Sequence, residues 1–174
     1  TCAEKTKFPN FRGLHWPGRM HEVVRAGSGQ RWLLEGAHNP SGMETSCRAL
    51  QREERWKNPW ALLFGSTPQS EMGAMLEPLV NLCRRHPPVA IVLTEPQFGR
   101  YPGVPCTELA SALGQHDLQI SASFANPQEA VAWVEAQSST LTDVLCIGSL
   151  YLAGNVLQAL GADDDEALSI VAKD

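Results

Sequence analysis

Basic residues are not concentrated anywhere in this chain: 14 Lys and Arg stand against 19 Asp and Glu over 174 residues, for a formal charge of −5. Without a basic stripe there is nothing to track a phosphate backbone, so nucleic acid is not an expected partner. Long apolar runs are also missing. No stretch approaches the roughly 18 residues that a membrane span needs, and no charged-then-apolar leader opens the chain. The five cysteines, Cys2, Cys47, Cys83, Cys106 and Cys146, stand singly with no C-x-x-C pair, which argues against a zinc site or a disulfide framework. Their odd number suits a reducing compartment, and a soluble cytoplasmic protein is the expectation. A phosphate loop of the form G-x-x-x-x-G-K-[ST] is absent, so the chain is not expected to hydrolyse ATP alone. Internal repeats and low-complexity segments are absent too.

What is present is the material of one domain. Apolar residues make up 43% of the composition, enough at this length for a single compact core. The first residue is Thr1, from which an upstream portion is expected; residues 1–14 read as a linker from it and 15–174 as the domain.

Two extended runs, Met20–Arg25 and Gln30–Leu34, flank Ala26-Gly27-Ser28-Gly29, the pattern of a hairpin. Beyond them Met43, Cys47, Leu50 and Trp56 recur at roughly helical spacing behind Asn39-Pro40, a capping side chain followed by a preset first helical position. Strand and helix signals then alternate. Ala61–Gly65 precedes a helix over Glu71–Arg85, and Val89–Thr94 precedes one over Thr107–Leu113. Leu118–Ser121 is a weaker strand candidate before a helix that Asn126-Pro127 opens, and Asp143–Ile147 precedes a last helix from Gly148-Ser149 to Leu160. Acidic Ala162–Glu166 reads as a solvated end, and Ala167–Lys173 as a short closing element or a frayed one.

Such alternation implies an α/β fold: a mostly parallel, doubly wound, Rossmann-like sheet with helices on both faces and the N-terminal hairpin strand at one edge. Ligands bind such sheets beyond the C-terminal strand ends, which directs attention to Glu35–Pro40, Gly65–Ser70, Thr94–Arg100 and Gly148–Tyr151.

Arg19 and Glu35 lie one hairpin apart. The arginine is a permanent planar donor suited to phosphate, the acid suits ribose hydroxyls or a metal-bound water, and His38 sits beside a helix N-terminus that favours negative charge. An anion or nucleotide site is one reading. A structural ion pair between Arg19 and Glu35 is the other. Trp32 and Trp133 lie on patterned segments and read as core.

Trp16-Pro17-Gly18-Arg19, Gly36-Ala37-His38-Asn39-Pro40 and Gly148-Ser149-Leu150-Tyr151-Leu152-Ala153-Gly154 together resemble the ordered signature of the C-terminal domain of folylpolyglutamate and dihydrofolate synthases, relatives of the Mur ligases. The resemblance runs from about Leu14 to Leu160. It implies an ATP-dependent ligase that activates a folate or dihydropteroate carboxylate as an acyl phosphate and joins it to L-glutamate. It places Arg19 and Glu35 on ATP, His38 and Asn39 at the nucleotide and reacting phosphate, with His38 in a catalytic position, and Ser149 near the incoming glutamate. ATP and Mg²⁺ would be held mainly by an upstream P-loop ATPase domain.

Two positions depart from the family pattern. Aspartate is usual where Glu35 stands, and a charged stretch is usual where Ser66-Thr67-Pro68-Gln69-Ser70 follows Phe64-Gly65. These departures leave open a Mur-like or cyanophycin-type ligase domain, or a non-catalytic α/β binding module.

Overall fold

In the computed structural model, residues 16–163 are described. His15, the linker over 1–14 and the acidic end beyond Asp163 lie outside them.

Alternating apolar runs and caps produce six strands in one sheet, ordered β1-β2-β6-β3-β4-β5. The hairpin pairs β1 (His21–Val24) antiparallel to β2 (Arg31–Glu35) at the sheet edge. The other four strands, β3 (Trp60–Phe64), β4 (Ala90–Thr94), β5 (Ala122–Phe124) and β6 (Asp143–Ile147), run parallel to β2. Every residue of β3, β4 and β6 is buried, as expected of parallel strands covered on both faces.

Strand residues alternate between two cores. Leu33, Leu62, Phe64, Leu93, Leu145 and Ile147 meet one group of helices; Trp32, Leu34, Leu63, Val92, Val144 and Cys146 meet the other. The first face is covered by α1 (Pro40–Leu50), α2 (Met72–Arg85) and α3 (Cys106–Gly114). The second is covered by α4 (Pro127–Ala136) and α5 (Leu150–Ala159). Helix α2 continues through Pro78, which deletes one backbone donor, because Met75, Leu76, Leu79 and Leu82 bury their side chains around it. Trp32 is fully buried, and Trp133 packs against the second core, so both are structural.

Two local expectations shift. Trp56 is not on α1, which ends at Leu50; it belongs to a separate 3-10 turn, Glu54–Lys57, and its indole N–H donates to the Leu50 carbonyl at 2.5 Å. The strand expected at Leu118–Ser121 forms instead at Ala122–Phe124. Leu118 and Ile120 pack against the first core, and pairing begins only where Ser121 N–H reaches the Ile91 carbonyl at 2.8 Å.

The connections fix where a ligand can enter. From β2 the chain crosses over β6 on the α1 face to reach β3, whereas β6 leads into α5 on the opposite face. Strands β2 and β6 are neighbours, with Glu35 opposite Ile147 in register. In sheets wound this way the ligand crevice lies at the C-terminal ends of these two strands, the topological switch point.

Candidate functional site at the sheet switch point

A tight turn brings the first motif to this crevice. Arg19 N–H donates to the Trp16 carbonyl at 3.0 Å, with Pro17 and Gly18 between them. Gly18 has φ +71°, the left-handed conformation that the third position of a type II turn requires. The turn is then fastened to the end of β2: Gly36 N–H donates to the Gly18 carbonyl at 2.7 Å.

All three motifs meet there. A Cβ on Gly36 would lie 2.2 Å from Leu150 Cδ2 and 3.0 Å from the Gly18 carbonyl oxygen, so only glycine allows the close approach. Gly18 in turn faces Ala153, at 3.2 Å from where its own Cβ would be. The loop after β2, the turn before β1 and the first turn of α5 thus form one unit.

Each expected site residue has a defined place in it. Arg19 Nη1 donates to Glu35 Oε1 at 3.1 Å, and its side chain remains about two-fifths exposed, with its other nitrogens available. Glu35 is buried, and its second oxygen, Oε2, accepts from Met20 N–H at 2.9 Å. His38 is half-buried, and its Nδ1 lies 2.8 Å from the Gly36 carbonyl. A carbonyl can only accept, so Nδ1 carries a proton and Nε2 is the ring nitrogen left for a ligand. Asn39 is exposed; its Oδ1 accepts from Gly42 N–H at 2.7 Å and caps α1, while its amide N–H groups are left over. Ser149 is buried and caps α5 by accepting from Tyr151 N–H at 3.1 Å, which leaves its own O–H to donate.

Arg19 and Glu35 form a pair with no net charge, so the attraction for an anion rests on backbone and side-chain donors. Two helix N-termini, α1 and α5, flank the end of adjacent strands, and Arg19 keeps nitrogens beside them that Glu35 does not take. The chemistry of the arrangement is therefore that of an anion seat. Among the described residues no group of three or more His, Cys, Asp or Glu could hold a metal ion. A divalent cation at this crevice would thus need ligands from outside these residues.

Sequence reasoning pointed to the loop over Thr94–Arg100 but not to how it is held. Gln97 N–H donates to Asn155 Oδ1 at 2.9 Å, and Asn155 Nδ2 donates back to the Gln97 carbonyl at 3.3 Å, so α5 grips the loop after β4 at both backbone groups. The grip presents Phe98, 86% exposed, at φ +61°. Gly99 abuts the Tyr151 ring, and the Arg100 guanidinium lies 5.6 Å from the centre of the Tyr101 ring. No short-range pattern signals this pairing, because its partners are 58 residues apart. After β3, Ser66 is fully buried; its O–H donates to the Thr67 carbonyl at 2.9 Å, and its carbonyl accepts from Val104 N–H at 2.8 Å. This loop borders a mainly apolar cavity of about 630 Å³ with Met72, Val104 and Leu109.

An open parallel sheet with an anion seat at its switch point defines the class, a doubly wound α/β domain with its working edge at the strand C-termini. The family model of the dihydrofolate synthetase C-terminal domain matches residues 21–159, and the chain belongs to that family. The fold is also that of solved folylpolyglutamate synthases. The Mycobacterium tuberculosis enzyme complexed with ADP and AMPPCP superposes with a TM-score of 0.65 at 20% identity, over 87% of this chain and 34% of that one. E. coli FolC in complex with DHPP and ADP gives 0.62 at 21% identity, over 84% and 31%. The Yersinia pestis bifunctional folylpolyglutamate synthase/dihydrofolate synthase complexed with AMPPNP and Mn ion gives 0.60 at 22%, over 84% and 32%. The chain thus spans about a third of the length of each of these proteins. Comparison with curated proteins gives no match.

Proposed function

We propose that this chain is the C-terminal domain of an ATP-dependent ligase that adds L-glutamate to dihydropteroate or folate, and that it forms one wall of a nucleotide site shared with an upstream P-loop domain. The observation that carries the proposal is the meeting of Gly18, Gly36 and Leu150, which gathers Arg19, His38, Asn39 and Ser149 at one crevice in a chain of this family. In this reading the substrate carboxylate takes the terminal phosphoryl group of ATP, releasing ADP. The glutamate amine then attacks the acyl phosphate, and inorganic phosphate leaves as the amide forms.

The residues present suit an anionic ligand. Arg19 offers its free nitrogens to the nucleotide phosphates and the Asn39 amide donates to the same charge beside the start of α1, while His38 Nε2, the unprotonated nitrogen of that tautomer, accepts from a ligand hydroxyl or a bound water there. Phosphoryl transfer depends chiefly on positioning and on neutralising the charge of the phosphate, which these groups can assist. Ser149, through its free O–H, stands by the incoming glutamate. In this reading Mg²⁺ is held mainly by the upstream domain with the nucleotide phosphates.

The edge has the character of an interdomain face. Trp16, Met20, Phe98, Tyr101, Leu150 and Tyr151 are exposed apolar or aromatic residues on the same side as the strand C-termini. Exposed apolar groups collected on one face are the mark of a contact surface. This reading takes residues 1–14 as the link to the upstream domain and the whole protein as a cytoplasmic enzyme. Among the described residues no helix is long and apolar enough to cross a membrane.

The test is phosphate release by the full-length protein with ATP, a pterin acceptor and glutamate. Release that needs all three supports the reading. No release with dihydropteroate or any folate removes it.

A further inference from the structure

Glu35 is buried at the candidate site, and both of its oxygens are engaged within the fold. Oε1 accepts from Arg19 Nη1 at 3.1 Å and Oε2 from Met20 N–H at 2.9 Å. Met20 has φ +45°, a conformation that costs a residue with a side chain and persists only where its surroundings impose it. The bond from its N–H to the carboxylate is one such constraint. The Gly36-to-Gly18 bond at 2.7 Å, from the residue next to Glu35, is a second. The end of β2 therefore grips the turn over Trp16–Met20 at three points: the Gly18 carbonyl, the Met20 amide and the Arg19 guanidinium.

We infer that Glu35 is a positioning residue, which holds Arg19 and the turn before β1 in place for an anion, and that it does not itself contact the sugar of a nucleotide. Charge explains the first half. A buried carboxylate beside a half-exposed guanidinium fixes one edge of that planar group and leaves the other edge directed outward. The burial of Glu35 explains the second half. With the residue only 3% exposed, the turn over Trp16–Met20 stands between Oε1 and Oε2 and a ribose hydroxyl outside.

The nucleotide part of the inference rests on the ligase reading; the grip on the turn does not. Two measurements on the full-length protein separate them. The first is amide hydrogen exchange over residues 16–21. Glu35→Ala should accelerate exchange at Met20 by about 10-fold or more, the usual consequence of losing a charged acceptor, while amides of β3 and β4 keep their wild-type rates. Unchanged protection at Met20 overturns the inference whether or not the protein is a ligase. The second is binding of ADP and 2′-deoxy-ADP to wild type, Glu35→Ala, Arg19→Ala and the double variant. Glu35→Ala should weaken both nucleotides by the same factor, and should cost nothing further once Arg19 is alanine. Losses that add in the double variant, or a loss confined to the ribonucleotide, would show that Glu35 touches the ligand directly. Wild-type protein that binds neither nucleotide removes the ligase reading and leaves the exchange result to decide the grip.

Discussion

Gly36 and Leu150, 114 positions apart in sequence, touch so closely that a Cβ on residue 36 would stand 2.2 Å from Leu150 Cδ2. This contact ties the loop after β2 to the first turn of α5. Gly36→Ala must push Leu150 or the loop aside, and overpacking of this kind typically costs about 1–3 kcal/mol. A urea melt of the chain followed at its tryptophans should show the loss. Adding Leu150→Ala should restore part of it, because the shorter side chain vacates the place that the new methyl needs. A Gly36→Ala variant as stable as wild type would mean the two segments separate easily.

Arg19 supplies the one full positive charge placed on the turn at the crevice. In the full-length enzyme, Arg19→Ala should lower ATP turnover by roughly 10²-fold or more, the scale seen when a group stabilising transferring charge is removed. Arg19→Lys should recover little, since an ammonium cannot bond Glu35 along one edge and present a second planar edge outward. Steady-state kinetics with varied ATP decides the matter. Unchanged kcat and KM would take Arg19 out of the site.

The parts of the molecule that were legible in sequence are those governed by local chemistry. Asn39-Pro40, Asn126-Pro127 and Ser149 cap their helices as their residue types dictate, each accepting a backbone N–H within the following turn. Hairpin and buried strands followed from the Gly-rich break and the aliphatic runs. The site was half legible: motif order placed Arg19 near residue 35, but whether Glu35 faces a ligand or Arg19 depends on a turn whose geometry no spacing reveals. Trp56 fits the period of α1 and still leaves it, because its N–H is drawn back to the Leu50 carbonyl. The shift of the edge strand from Leu118–Ser121 to Ala122–Phe124 has the same origin. β5 is a three-residue edge strand, and which residues pair is set by β4 and by where Leu118 and Ile120 find the core, not by their own pattern.

Burial of the thiols makes stability depend on alkaline pH. Cys47 and Cys83 are pushed up to about 12 from the ordinary 9.0, chiefly by desolvation, and full burial drives Cys146 higher still. A group whose folded pKa is raised contributes stability that is complete below its unfolded value and is lost as pH rises toward the folded one. The unfolded chain then releases protons that the folded chain keeps, at about 1.4 kcal/mol per pH unit for each thiol. Urea midpoints should therefore hold steady from about pH 6 to 8 and fall from about pH 9 upward. Replacing Cys83 by Ala should make that fall shallower. A midpoint that stays flat up to about pH 10.5 would contradict the burial of these side chains.

Asn155 is the clearest test of whether the loop after β4 serves the crevice. It accepts from Gln97 N–H and donates to the Gln97 carbonyl, so one side chain on α5 satisfies two backbone groups of a loop that carries an exposed aromatic at positive φ. Asn155→Ala removes both bonds at once, and each is worth about 0.5–1.5 kcal/mol net. Because the bonds lost hold a loop and not the core, and Gln97 Nε2 still reaches the Ala125 carbonyl at 3.3 Å, the energy should appear as local opening more than as a lower global midpoint. Amide exchange at Gln97 and Phe98 should rise at least about 10-fold, with β3 and β6 unaffected. If the exposed aromatics here meet a partner domain, the same variant in the full-length protein should raise KM for ATP while leaving the melting of this domain nearly intact. Asn155→Asp keeps the acceptor for Gln97 N–H but turns the second donor into an oxygen facing a carbonyl, so it should be no better than alanine. An aspartate variant that behaves as wild type would show that a single bond suffices and that the two-point grip is incidental.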